Sequence, residues 1–197
     1  MQNKKGRIIA VCSAPQKGMI KHEIGEGRLI EGIGLEGDAH AGFMHRQVSL
    51  ISMEDIRTMM AKLPNQLYSG IRDLQRTRAF FLLMFMLRGI PFVDLAYLKK
   101  RDIEGNVLTY RRRKTGRMLT VTLLPEAMKL IRQYMNTDPA SPYLFSLIAS
   151  KEGTEEAYRE YQLALRYFNS QLVILKGVLG LTADLSSYTA KHNQFSI

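Results

Sequence analysis

The densest chemistry in this sequence is cationic. Arg111-Arg112-Arg113-Lys114-Thr115-Gly116-Arg117 places five positive side chains in seven residues around a Thr-Gly turn. Groups packed this closely suit phosphate neutralisation, arginine by forked donation and lysine as a point charge. Other reactive residue types are sparse. The chain has one cysteine, Cys12, which excludes an internal disulfide framework and a multi-cysteine zinc site. Asp38, His40 and His45 share a glycine-rich stretch, but three ligands without a fourth argue weakly for a metal, and none is expected.

The charge is unevenly divided. Residues 1–60 hold eight Lys and Arg against seven Asp and Glu, whereas the following 137 hold twenty against eleven. An excess of nine positive charges in the second part fits a polyanionic partner, double-stranded DNA first. A solvated basic surface on an ordinary enzyme is the plainer alternative. At 46% apolar and 23% charged, the 197 residues are not a disordered chain, and the length suits one domain or two partial ones. The start lacks the apolar core of a secretory signal. The most apolar run, Phe80 to Leu87, is far short of the ~20 residues that span a bilayer. The expectation is a cytoplasmic protein with no membrane partner.

The elements that must carry the cations follow from periodicity. Before residue 60 the chain reads as β-rich and broken by glycines at 25, 27, 32, 34 and 37, with strands expected at Arg7–Cys12 and Gln47–Ser52. Ser52 then reads as the N-cap of a helix that turns Ile56, Met59 and Met60 to one side. After Pro64 the texture becomes helical. Ile71, Leu74, Ala79, Leu82, Leu83 and Met86 share one face of a helix ending at Arg88-Gly89. Pro91 opens a short helix to about Leu98, and Pro125 opens another through about Tyr134. Val107–Arg111 and the strand starting at Met118 flank the cationic run as a hairpin with a basic tip. A long helix over Glu155–Leu175 and a last one from Ser186 to His192 complete the reading.

Three boxes in the second part carry a resemblance. Arg88-Gly-Ile-Pro-Phe-Val-Asp94-Leu, Arg111-Arg-Arg-Lys114-Thr-Gly and Ser186-Ser-Tyr188-Thr-Ala-Lys191-His192 occur in that order. Over residues 68–197 they resemble the catalytic domain of tyrosine recombinases, the phage-integrase-like enzymes. The resemblance implies DNA integration and recombination through a tyrosine nucleophile, with no metal or cofactor and with other recombinase protomers as partners. Protein cations would then hold the developing phosphorane charge. Lys114 matches the hairpin lysine that protonates the leaving oxygen. Lys191 and His192 stand where the family has Arg-His, and Tyr188 takes the first histidine position of the same H-x-x-R-H box. Lys191 departs from that pattern, because an ammonium cannot make a bidentate phosphate contact. Asp94 matches an acidic residue that braces the site. The family's first arginine falls on Pro91, so Arg88, three residues earlier, either supplies that guanidinium or caps a helix end. Arg111, Arg112, Arg113 and Arg117 would contact the DNA. The family's nucleophile lies some tens of residues beyond the histidine box, and no tyrosine up to Ile197 matches it. The expectation is a recombinase-like chain that binds DNA and does not cut it alone.

The first part carries a second resemblance. Leu29-Ile-Glu-Gly-Ile-Gly-Leu-Glu-Gly-Asp38-Ala-His40-Ala-Gly-Phe-Met-His45-Arg46-Gln47-Val-Ser49 is similar to the opening of a MOSC domain, over about residues 5–57. That family is a β-barrel related to molybdenum-cofactor sulfurases. It implies phosphate or pterin contact by His45 and Arg46 in an intact barrel, and sulfur or molybdenum-cofactor handling as the alternative function. Cys12, in the first strand, reads as a small buried residue. The expected fold is α+β: a partial MOSC-like barrel over residues 1–60, then a mainly helical recombinase catalytic-like domain with a small β-hairpin over 61–197.

Overall fold

A computed structural model describes residues 8, 11–16, 22–39, 41–42, 52–61 and 71–192. The strand expected at Gln47–Ser52 lies largely outside them. The fold is α+β, with a short β segment followed by a helical region that holds one small sheet. In the first part, β1 (Cys12–Ser13) pairs antiparallel with β2 (His22–Glu23), and β3 (Leu29–Ile30) with β4 (Gly34–Leu35). These are two separate two-stranded ladders. Asp38 is buried and accepts the Ala14 N–H at 3.2 Å. Cys12 is half-buried rather than enclosed.

Helix α1 (Met53–Met60) begins as its sequence requires, with Ser52 Oγ accepting the Asp55 N–H at 2.9 Å. Ile56 and Met59 are buried as expected, but Met60 is 45% exposed, because it lies one position past the stripe. The buried Asp55 reaches far along the chain. Its carboxylate accepts the Thr182 N–H at 3.0 Å, the Thr182 hydroxyl at 2.9 Å and the Ala183 N–H at 3.2 Å. Burial works to raise its pKa, yet the hydrogen bonds from Thr182, Ser52 and Ala183 together outweigh burial and hold it below the ordinary aspartate value. A depressed carboxyl stabilises the fold above the unfolded pKa of about 3.9 and loses that contribution as pH falls through the native value. Asp55→Asn is therefore expected to flatten the acid limb of stability below about pH 4, read by urea unfolding across pH. An unchanged acid limb would deny Asp55 this role.

Helix α2 (Ile71–Met86) is the hub, packing against α1 and three later helices. Its second half, Ala79-Phe-Phe-Leu-Leu-Met-Phe, is apolar on every side and buried on every side, the expected fate of such a helix. Short α3 (Phe92–Tyr97) follows, with Pro91 at its N-cap, and leads through a 3-10 turn at Lys100–Asp102 into β5 (Ile103–Glu104). Strands β6 (Val107–Arg111) and β7 (Met118–Thr122) form the expected hairpin, with Arg111 opposite Met118. Alternation places Leu108, Tyr110 and Val121 in the core, while Thr109 and Thr120 pair their hydroxyls at 3.3 Å on the outer face. Strand β5 adds a third strand to the sheet that periodicity alone did not predict, since two residues carry no period.

Helix α4 (Pro125–Tyr134) carries proline at N1, as expected. Helix α5 (Glu155–Leu179) starts with Thr154 accepting the Ala157 N–H and stops at Gly180 in the left-handed conformation, a few residues later than the sequence suggested. Helix α6 (Ser187–His192) packs against α2 and α5. Among the described residues no helix is long and apolar enough to cross a membrane.

Candidate nucleic-acid interface

The hairpin tip is closed by its own backbone. The Arg112 N–H donates to the Arg117 carbonyl and the Gly116 N–H to the Arg112 carbonyl, each at 2.7 Å. Gly116 takes φ +68°, which a side chain rarely adopts, and Arg111 donates a guanidinium N–H to the Gly116 carbonyl at 2.9 Å. This turn leaves Arg111, Arg113, Lys114 and Arg117 exposed. Four cations on one short loop make a local field that attracts a phosphate backbone.

What aims the tip is Asp94, on the first turn of α3 and 3% exposed. Its Oδ2 lies 2.9 Å from Arg112 Nε, and its Oδ1 accepts the Arg113 backbone N–H at 3.0 Å. One buried carboxylate thus clamps two successive residues of the tip to the helical core. Arg112 is 7% exposed, so it anchors the tip and stands apart from the other three arginines named as DNA contacts. Tyr110, beside this pair, has its hydroxyl pushed well up, first by burial and then by the Asp94 charge.

Arg113 turns back on the protein. Its guanidinium lies over the Tyr97 ring, 3.7 Å from the centroid, and donates to Glu152. Lys99 Nζ reaches the other oxygen of Glu152 at 2.6 Å. The hydrogen bond from Lys99 is the first cause that holds the Glu152 carboxyl below its ordinary pKa; burial opposes it, and Arg113 adds to it. Tyr97, Lys99 and Glu152 were not singled out from the sequence. The pairing of Arg113 with Glu152 spans 39 residues, and no local pattern announces it.

Tyr188 lies on the first turn of α6 and is 52% exposed. Tyr161, on α5, has both Tyr188 and Asp94 among its electrostatic neighbours. Burial raises the Tyr161 pKa first, with Tyr158, Tyr188, Tyr97 and Asp94 as charged or ionisable neighbours adding to it. The structure therefore brings Asp94, Arg112, Arg113 and Lys114 together at the hairpin tip. The backbone of Lys191 and His192 belongs to α6, while their side chains lie outside the described residues. His40, His45 and Arg46 also lie outside them.

Arg88 follows α2 with φ +56°, and Gly89 continues at φ +69°. The two left-handed residues end the helix after the Leu87 N–H has bonded to the Leu83 carbonyl. A left-handed arginine costs about 1–2 kcal/mol relative to an unstrained residue. Arg88→Gly is accordingly expected to unfold at higher denaturant than Arg88→Ala, by about 1 kcal/mol, although both remove the same guanidinium. Equal stability of the two variants would mean that the backbone strain is absent in solution.

No family model matches the sequence, and no curated protein matches it. Among solved structures, the crystal structure of XerA recombinase is similar, with 19% identity and a TM-score of 0.47. The match covers 76% of this chain and 49% of that one, so the chain spans about half the length of this structural neighbour.

Proposed function

We propose that this chain binds duplex DNA as a tyrosine-recombinase-like module and that the 197 residues alone do not cut it. One observation carries the reading: a buried carboxylate, Asp94, spends both oxygens on fixing the hairpin tip that exposes Arg111, Lys114 and Arg117. A loop of solvated charge needs no such anchor, whereas a phosphate site needs its donors held in place. The positive excess after residue 60 and the three sequence boxes support the same reading. In a complete site, Lys114 would protonate the leaving oxygen, and Lys191, His192 and Arg88 would share the phosphate charge. Tyr188 would line the same site.

The tyrosine environments support binding without cleavage. Burial is the first cause raising Tyr97, Tyr134, Tyr143 and Tyr161, which makes these four harder to deprotonate, whereas Tyr158 and Tyr188 are exposed. Tyr167 donates its hydroxyl to Asp73 at 2.8 Å.

The test is a fluorescence titration of labelled duplex DNA, followed by a denaturing gel on a nicked suicide substrate. Affinity is expected to fall with salt at a slope of about −0.9 per neutralised phosphate, with little sequence preference. No DNA should remain attached after denaturation. Absence of binding at low salt would overturn the reading, and molybdopterin binding in its place would favour the MOSC-like alternative. A protease-sensitive shifted band would show that one of these tyrosines attacks after all.

A further inference from the structure

Glu152 lies between two cations. Its two carboxylate oxygens each take one cation, Oε2 from Lys99 and Oε1 from Arg113. The two cations come from separate elements, Lys99 from the N-cap of the 3-10 turn that follows α3 and Arg113 from the hairpin tip beside Lys114. Arg113 is held flat on the Tyr97 ring at 3.7 Å, and its own backbone N–H is held by Asp94 at 3.0 Å. Arg113 is therefore held in place by groups other than Glu152. A phosphodiester presents two non-bridging oxygens that share one negative charge, as the two oxygens of a carboxylate do. All three side chains keep contact with solvent, at 26%, 34% and 37% exposure for Lys99, Arg113 and Glu152, so DNA can reach the pair.

Resting on the DNA-binding reading above, we propose that Lys99 and Arg113 form a phosphodiester-binding site occupied in the free protein by Glu152, an internal stand-in for the DNA backbone. Glu152 thereby limits how many phosphates the hairpin face engages. Its carboxyl stays ionised at neutral pH, so the competition persists under ordinary conditions. Removing the charge while keeping the shape frees both cations for DNA.

The experiment uses the full chain and a labelled duplex of about 30 base pairs, titrated at several salt concentrations between roughly 50 and 200 mM. Glu152→Gln is expected to bind more tightly, with a salt slope steeper by about 0.9, the contribution of one added phosphate. Adding Lys99→Gln to that variant should remove part of the gain in affinity, because one of the two donors is lost, whereas Lys99→Gln alone should leave wild-type binding nearly unchanged. Glu126→Gln, on α4, makes the same change in net charge and is expected to leave the slope alone. Circular dichroism melts confirm that each variant is folded.

An unchanged slope in Glu152→Gln, with wild-type DNA binding intact, would overturn the proposal and spare the DNA reading. An equal gain in Glu126→Gln would overturn it too, by reducing the effect to overall charge. If neither wild type nor variant binds DNA at low salt, the DNA-binding reading falls first and the proposal with it.

Discussion

Asp94→Ala is expected to lower the unfolding free energy by about 3–5 kcal/mol, the loss seen when one partner leaves a buried ion pair. The reason is the position of Arg112, which at 7% exposure would keep its charge in the core with no carboxylate opposite. The Arg113 N–H would lose its acceptor as well. For a chain of this size such a loss moves the thermal midpoint by roughly 6–20 °C, read by a circular dichroism melt. A second variant separates charge from contact. Asp94→Ala combined with Arg112→Met removes both charges, and much of the stability should return, because an apolar replacement of a buried pair is often neutral. The double variant would still bind DNA less well, since its tip is no longer aimed. A loss under about 1 kcal/mol in the single variant would mean that the pair is solvated in the folded protein.

The second large effect concerns the solvated side of the same tip. Replacing Arg111, Lys114 and Arg117 together by Gln should reduce the salt slope of duplex binding by about 2.7, three contacts at about 0.9 each. A difference of that size makes the ratio of wild-type to variant affinity grow about 40-fold between roughly 200 and 50 mM salt. The fold should hardly notice, because these side chains are exposed and Arg111 alone also donates to the Gly116 carbonyl. Parallel salt dependences for the two proteins would place the DNA-binding surface elsewhere. The two experiments divide the hairpin by function: Asp94 and Arg112 govern stability and aim, and the three outer cations govern binding.

Local signals in the sequence settled most of the helical part. Proline marked the starts of α3 and α4, Ser52 supplied the side-chain cap of α1, and Gly89 marked where α2 stops, whereas the Thr154 cap of α5 and its end at Gly180, past the expected Leu175, emerged only from the structure. Alternation from Val107 to Arg111 and from Met118 to Thr122, with a Thr-Gly turn between, specified the hairpin and its basic tip. Each of these signals works through neighbours within one or two turns of chain, so each can be read without knowing the fold. What the cations do could not be read that way. Arg111, Arg112, Arg113 and Arg117 look alike in sequence, yet one is buried against Asp94, one lies on Tyr97 beside Glu152, and two face solvent. Asp55, on the low-charge side of the composition change, bonds to Thr182, 127 residues away. A charged side chain's role depends on whether folding gives it a partner and removes it from water, and that is decided by segments far apart in the chain.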